Sequence, residues 1–448
     1  MHLAFVRSRS QAGLAAPDVT VEVHLGSGLP GFQVVGLSES TTRQIRGRVR
    51  SAILSSHLKW PDFNITINLA PTEQPKEGAR YDLPIALGLL VASKQLPEQS
   101  IEKREFFGEL GLDGAIHPFR GCLAAALAAT QAGHECGIGL PGAPEMATLT
   151  AGRLIAAPDL LSLCARLRAH DPEYVPEVST LDADIPSYPD LSQLKGQPLL
   201  CMALEVAAAG GHHLLMTGPP GVGKTMAASV LPGLLPPMPK KTAQELRLLQ
   251  DVAGATQCGA PPFRAPHHSS SVASLMGGTA RALPGEISMA HGGVLFLDEL
   301  SEFPHTVLNQ LRQPLETGHI RVNRAQCQHL YPAQFQLVAA MNPCPCGLAG
   351  DPDCRCRCTL DRIRRYRQGI SGPLMDRIDL HITLQRPSPE FLLIKSSTNA
   401  AYSRDLKRRV GLLQNRQRER QGCLNRELAG DGLLEACQLK SSTERWLI

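Results

Sequence analysis

Residues Gly218–Thr225 read GPPGVGKT and fill every defined position of the pattern G-x-x-x-x-G-K-[ST]. The octet follows a short apolar run, HHLLMTG at 212–218, and precedes the helix-compatible MAASVL. That context matters, because strand, glycine-rich turn and helix together let backbone N–H groups turn inward around phosphate oxygens while the helix dipole favours the anion. In such a loop Gly218, Pro219, Pro220, Gly221, Val222 and Gly223 form the cradle, Lys224 reaches the β and γ phosphates, and the Thr225 hydroxyl binds Mg²⁺. ATP and Mg²⁺ are the expected cofactors. Two more apolar strands, GVLFLDE at 293–299 and FQLVAAMN at 335–342, alternate with helical segments. That alternation predicts an α/β unit with a parallel sheet covered by helices.

The second strand supplies the other half of a nucleotide site. It ends in two carboxylates, which places Asp298 near a Thr225-bound Mg²⁺ and Glu299 near an attacking water, a division of labour that implies hydrolysis. By itself an apolar strand ending in Asp-Glu is ordinarily just solvated. Downstream of a phosphate loop it reads as catalytic.

The remainder of the 448 residues is globular in composition, 43% hydrophobic, and predicts about three domains. A net charge of +4 is too small to mark a nucleic-acid binder by itself. The longest apolar run, Leu83 to Ala92, contains Pro84 and falls short of the ~18 residues a membrane helix needs, so no membrane association is expected. MHLAFVRSRSQAG lacks the apolar stretch and cleavage site of a secretory signal, and a cytoplasmic location is expected.

Along the chain, VTVEVHL at 19–25 and FNITINL at 63–69 read as strands, and 83–93 and 121–132 as helices, the second ending before Gly133. These make residues 1–170 a mixed α and β domain. DPEYVPEVSTLDADIPSYPD, with four prolines and no basic residue, predicts a linker over 171–189. Residues 190–386 then form the nucleotide-binding core. Beyond about Pro387 the chain turns basic and helical, with Arg404, Lys407, Arg408, Arg409, Arg416, Arg418 and Arg420 close together. Gly26, Gly28 and Gly31 match G-x-G-x-x-G, but strand-like FQVVGL follows where a helix should open, so a turn between two strands explains them better.

Thirteen cysteines in a chain expected in the cytosol are thiols or metal ligands. Five fall in CPCGLAGDPDCRCRC: Cys344, Cys346, Cys354, Cys356 and Cys358. Four thiolates can converge around this Gly/Asp/Pro loop, and tetrahedral Zn²⁺ in a structural site is their natural guest. The C-x-C spacing leaves free thiols as the alternative.

Taken together, the loop, DLSQLKGQ at 190–197, PFRAPHHSSS at 262–271, PGEISMAHGGVLFLDELSEF at 284–303, FQLVAAMNPCPCG at 335–347 and ISGPLMDRIDLH at 370–381 resemble the magnesium-chelatase-like branch of the AAA+ ATPases, the ComM/YifB family. The resemblance runs through nearly the whole chain. It implies an AAA+ P-loop core in which Asn342 is a sensor orienting the attacking water and Arg377 is an arginine finger inserted into a neighbour's site, which requires a ring; an Arg377 ion pair with Asp376 or Asp379 is the alternative. It also implies that Gln197 lines the adenine pocket and selects Cys344, Cys346, Cys356 and Cys358 as the ligand set, leaving Cys354 surplus.

PKEGARYDLPIALG at 75–88 and GELGLDGAIHPFRG at 108–121 are similar to the Lon protease domain, a fold shared with a ribosomal protein. Lon-type chemistry needs a Ser activated by a Lys. Arg80 and Leu123 stand at those positions, so the resemblance implies a non-proteolytic α+β module in which Lys76 and Glu77 are turn residues. From the family come further expectations: a homohexamer, sequence-independent binding of branched or single-stranded DNA, and a hairpin at 316–337 whose Arg321 and Arg324 track phosphates if they are not simply solvated. The basic run at 404–426 is either a second DNA surface or the polar face of a lid helix. The resemblance implies that family members continue past STERWLI, so the helical lid, 387–448, is expected to be partial. The implied activity is a helicase driving branch migration during natural transformation. The alternatives are a chelatase-type motor serving a metal-inserting partner, and a nucleotide-binding assembly component without turnover.

Overall fold

Alternation of apolar and polar residues governs the N-terminal sheet, because successive side chains on a strand point to opposite faces. In β1 (His2–Arg9), β2 (Asp18–Gly26) and β4 (Asn64–Ala70), one set, Ala4, Val6, Val19, Val21, Val23, Ile65, Ile67 and Leu69, is buried. In this computed structural model, which describes residues 2–72, 79–143, 146, 154–169, 187–255, 259–278, 282–324, 327–351, 356–386 and 400–437, these strands sit in a seven-stranded mixed sheet. Its other members are β3 (Gly31–Val35), β5 (Arg104–Phe106), β8 (Glu135–Gly139) and β9 (Leu154–Ala157). The order is β3-β4-β2-β1-β5-β8-β9, and a two-stranded hairpin, β6 (Glu109–Leu110) with β7 (Ile116–His117), accompanies it. Gly26, Gly28 and Gly31 make the connection from β2 to β3, Gly28 at φ +123°.

The helix Asp82–Ala92 is buried on every side, which matches its unbroken apolar composition. It lies so close to the sheet that a Cβ on Gly88 would stand 2.6 Å from Val23 Cγ2. Burial on this scale takes a carboxylate with it: Asp82 is fully buried, and Arg48 of the helix Glu39–Ser55 holds it through Nε at 2.6 Å and Nη2 at 3.0 Å. Desolvation raises the Asp82 carboxyl to about 6 against the pull of Arg48. Arg9, Glu105 and His134 form a second buried group, with Arg9 bidentate on Glu105 at 2.6 Å and His134 Nδ1 at 2.7 Å.

By contacts the described chain falls into two units, Met1–Ala183 with Arg247–Gln257, and Asp184–Leu246 with Cys258–Ile448. The division does not follow chain order. Residues 247–257 lie within the range expected for the nucleotide-binding core, yet Leu248 packs among Phe107, Leu123 and Ala126, and Asp251 accepts the Leu123 amide at 2.8 Å. Of the expected linker only 187–189 is described.

The second unit is built on a five-stranded, all-parallel sheet of order β11-β12-β15-β10-β16: β10 (Leu214–Thr217), β11 (Phe263–Arg264), β12 (Val294–Leu297), β15 (Gln336–Met341) and β16 (Leu380–Thr383). β12 and β15 are buried along their whole lengths, as expected for strands covered on both faces. A separate antiparallel hairpin pairs β13 (His319–Arg324) with β14 (Cys327–Pro332). In the helix Ala400–Gln421, Leu406, Val410, Gln414 and Gln417 form the buried face, and the Gln414 and Gln417 side-chain amides donate to the carbonyls of Ala208 and Ala209. The basic residues of this helix are exposed. Residues 387–399 and 438–448, expected as parts of the lid, lie outside the described residues.

At the entry to β10 a buried histidine ties three segments together. The His213 amide donates to Asp379 at 2.9 Å, its Nδ1 accepts the Leu337 amide at 2.9 Å, and Arg426 Nη1 lies 3.0 Å from Nε2. Burial, helped by Arg426 and opposed by Asp379, lowers the ring to about 3. Below the unfolded value of about 6.5 the unfolded chain binds a proton that the folded chain refuses. Stability is therefore expected to fall as pH drops from 6.5 toward 3, by up to about 1.4 kcal/mol per pH unit, and His213→Gln should flatten that slope in urea melts. In the first unit, Arg48→Met leaves a buried carboxylate alone and is expected to cost about 3–5 kcal/mol, recovered in large part by adding Asp82→Leu.

Candidate functional site

The phosphate loop is shaped by its glycines. Gly221 and Gly223 adopt φ of +80° and +90°, and a Cβ on either would meet nothing within 4 Å, so conformation and not crowding demands glycine there. Gly218 answers to space instead: a Cβ on it would stand 2.9 Å from the Leu384 carbonyl. The helix Lys224–Leu234 starts directly at the loop's end with Gly223 as its cap. Its first N–H groups thus point into the cradle.

Parallel pairing of β10 with β15 sets Thr217 beside Met341, so the chain leaving each strand emerges on the same edge. The Gly218 amide donates to the Met341 carbonyl at 3.2 Å. Lys224 Nζ donates to the carbonyls of Gly218 at 2.6 Å and Pro219 at 3.1 Å, and to Asn342 Oδ1 at 3.0 Å. Burial lowers the Lys224 ammonium, while Asp298 and Glu299 oppose it. The next parallel neighbour of β15, β12, delivers the carboxylates: the Thr225 hydroxyl donates to Asp298 Oδ2 at 2.8 Å. A hydroxyl beside a carboxylate is a donor set for a hard cation of the Mg²⁺ kind, and the turned backbone with its lysine fits a triphosphate.

Glu299 stands in the left-handed region, φ +53° and ψ +51°, a conformation that costs a non-glycine residue energy and often marks a functional position. Its side chain meets His268, Nδ1 to Oε2 3.3 Å. The His268 ring in turn lies 4.0 Å from the His267 ring and edge-on to Phe303 at 6.4 Å. Sequence reasoning passed over His268 as a site residue; the tandem histidines in PFRAPHHSSS were its only signal.

Gln197 donates from Nε2 to the carbonyls of Val222 at 3.4 Å and Gln385 at 3.2 Å, so it braces the loop. Arg377 is half-exposed and pairs with Glu316 at 2.9 Å rather than with Asp376 or Asp379. It precedes β16, whose Leu380 pairs with Leu214 at the entry of β10, whereas the phosphate loop leaves the exit of β10. The four-residue strand separates those ends by about 13 Å, so Arg377 lies at the opposite edge of the sheet from its own loop.

Cys344, Cys346, Cys356 and Cys358 converge, with sulfur atoms all within 4.8 Å of one another. Three of the separations are 3.3, 3.6 and 3.5 Å. Four sulfurs at the Zn–S distance of ~2.3 Å define a tetrahedron with edges of ~3.8 Å, so the cluster has the dimensions of a metal site. Amides support it: Ala349 donates to Cys344 Sγ at 3.3 Å and Cys358 to Cys356 Sγ at 3.4 Å. The Arg357 amide, with the Cys344 thiol, lowers Cys346 to about 6. Cys354 lies outside the described residues.

On the β13–β14 hairpin Ile320 and Val322 face inward and Arg321 outward; the Arg324 side chain is outside the described residues. In the first unit Arg80 donates to Gln11 at 2.7 Å and to the Arg120 carbonyl at 3.3 Å, its guanidinium 4.8 Å from the Phe119 ring centroid. Leu123 is buried. Lys76 and Glu77 are outside the described residues. Among the described residues no helix is long and apolar enough to cross a membrane.

A parallel sheet with a phosphate loop at one strand's exit, Asn342 at the exit of its neighbour and paired carboxylates at the exit of the strand beyond defines a nucleotide-binding protein of the AAA+ class. Family models described as "Magnesium chelatase, subunit ChlI" and "Subunit ChlI of Mg-chelatase" match residues 190–392 and 21–139. The uncharacterized protein YifB of Salmonella typhimurium is 42% identical over 100% of this chain and 88% of its own. Competence protein ComM of Haemophilus influenzae is 42% identical over 98% of this chain and 87% of its own. The chain belongs to the magnesium-chelatase-like ComM/YifB family.

Because Lys224 is a half-buried cation facing the cradle, Lys224→Ala is expected to weaken binding of a fluorescent ATP analogue about 10- to 100-fold with an unchanged melting temperature.

Proposed function

We propose that this chain is an ATP-hydrolysing motor that assembles as a cytoplasmic homohexamer and moves branched DNA during recombination of incoming DNA in natural transformation. The observation that carries the reading is the meeting of Lys224, Thr225, Asp298, Glu299 and Asn342 at one edge of one sheet. In this reading ATP-bound Mg²⁺ is held by Thr225 and Asp298, Lys224 neutralises the β and γ phosphates, and Glu299 with Asn342 orients the attacking water. His268 fixes the Glu299 carboxylate. Gln197 lines the adenine pocket next to the loop it braces. Arg377, remote from its own loop and exposed, acts on a neighbour's triphosphate. The competence role printed for the Haemophilus relative favours DNA as the partner.

The outward Arg321, with Arg324 on the same hairpin, tracks phosphates without reading bases, and the exposed arginines of the helix Ala400–Gln421 widen that surface. The N-terminal unit is a Lon-like module that carries no proteolytic dyad, since Arg80 and Leu123 occupy the two positions. Zn²⁺ occupies the four-cysteine site as a structural ion. A second reading, a motor serving a metal-inserting partner, draws on the chelatase descriptions of the matching family models.

Steady-state ATPase measurements with single-stranded and forked DNA test the proposal. Stimulation that fades between 50 and about 200 mM salt is expected, together with ATP-dependent branch migration of a synthetic Holliday junction. A folded, ATP-hydrolysing hexamer that leaves junctions untouched would overturn the DNA reading and favour the chelatase-type one. Glu299→Gln should reduce turnover about 10²- to 10⁴-fold while keeping nucleotide binding. Mixing inactive Arg377→Ala chains with inactive Lys224→Ala chains should restore part of the activity, because mixed rings place an intact finger beside an intact loop.

A further inference from the structure

Between β15 and the helix Leu360–Gln368 the chain makes the four-cysteine loop. Cys344 follows Asn342 by two residues, and the Gly347 amide donates to the Cys344 carbonyl at 2.9 Å, closing a tight turn at φ +78°. That turn rests on the phosphate loop: a Cβ on Gly347 would stand 2.7 Å from Pro220 Cδ and 4.0 Å from Asn342 Cγ. From the other side Arg367 donates to the Pro343 carbonyl at 3.3 Å. Downstream in the same loop, Asp351, with a side chain only 2% exposed, pairs with Arg386 at 3.1 Å.

Among the described residues of this loop Cys344 and Gly347 are buried, Cys346 is exposed, and Cys356 and Cys358 are intermediate, and the convergence of sulfurs ties residues 344–347 to 356–358. Cross-links of this kind hold a loop by removing its conformational freedom. Here the tie lies between Asn342, which takes a hydrogen bond from Lys224 at 3.0 Å, and a glycine seated on Pro220.

We propose that a Zn²⁺ ion bound by Cys344, Cys346, Cys356 and Cys358 braces the nucleotide site, pressing the Gly347 turn on Pro220 and holding Asn342 against Lys224, so that metal occupancy sets the rate of ATP turnover. The inference rests on the zinc reading and, for its kinetic readout, on the ATPase reading. Asn342 and Pro220 are the points where the brace acts, and the four cysteines are positioning residues that touch no nucleotide.

The test uses the full chain. Metal content is measured by mass spectrometry, amide exchange over 218–225 by hydrogen–deuterium exchange, and kcat and KM by ATPase assay, each before and after chelation under reducing conditions and after Zn²⁺ is returned. One zinc per chain is expected. Its removal should speed exchange over 218–225 at least tenfold and lower kcat at least tenfold with KM changed less than threefold, and returned Zn²⁺ should reverse both. Gly347→Ala keeps all four thiols while crowding Pro220, and it should retain zinc yet reproduce the loss in kcat. If chelated chain unfolds, that metal-replete variant decides, and normal exchange and kcat in it overturn the brace. Wild type that holds no zinc overturns the metal reading. Zinc-loaded wild type with no turnover overturns the ATPase reading alone, and exchange over 218–225 then judges the brace. Equal exchange with and without the metal overturns it.

Discussion

Everything at the site depends on the parallel register of β10, β15 and β12. Because Thr217 pairs with Met341 and Leu297 with Ala339, the three strands end on one edge, where the phosphate loop, Asn342 and the Asp298-Glu299 pair leave them and meet. A parallel sheet has no hairpin to enforce that register. It comes from burial on both faces, where Leu214, Met216, Val294, Phe296, Val338 and Ala340 on one side and Leu215, Leu295, Leu297, Leu337 and Ala339 on the other have one arrangement that fills the core, and from right-handed crossovers through helices. The chemistry is thus an edge effect of a core.

Polar groups are buried where segments distant in sequence must be tied. His213 joins the entry of β10 to Leu337, Asp379 and Arg426, and Asp82 ties its helix to Arg48. Each tie is costly to break on one side only, since the orphaned partner stays desolvated. The sheet of the second unit is therefore locked at its entry by hydrogen bonds and left open at its exit, where Thr225 and Glu299 are exposed. That division lets a rigid framework present a site accessible to solvent. Strain is placed there too, in the left-handed backbone of Glu299.

Much of this was legible from local signals. GPPGVGKT announced its strand, turn and helix, the apolar runs at 212–218, 293–299 and 335–342 announced β10, β12 and β15, and the strand-like stretches at 19–25 and 63–69 announced β2 and β4. Family motifs extended the reading to Asn342 and to the four cysteines that the fold brings together. His268 was not legible as a partner of Glu299, because a contact over 31 positions depends on where β11 and β12 end relative to one another. Nor was Glu316 as the partner of Arg377, for the nearby Asp376 and Asp379 were the obvious carboxylates.

The sequence alone determined which local structures form and which chemistry each carries, since glycine conformational freedom, apolar periodicity and residue type act within a few positions of the chain. It determined a phosphate cradle, a carboxylate strand end and a set of thiols. Tertiary structure alone decided their relations: that Lys224 meets Asn342, that Leu248 and Asp251 pack with residues before 130, and that the cysteine turn rests on Pro220. Such relations are settled by how whole faces pack to exclude water, a property of the assembled core that no single stretch of sequence carries.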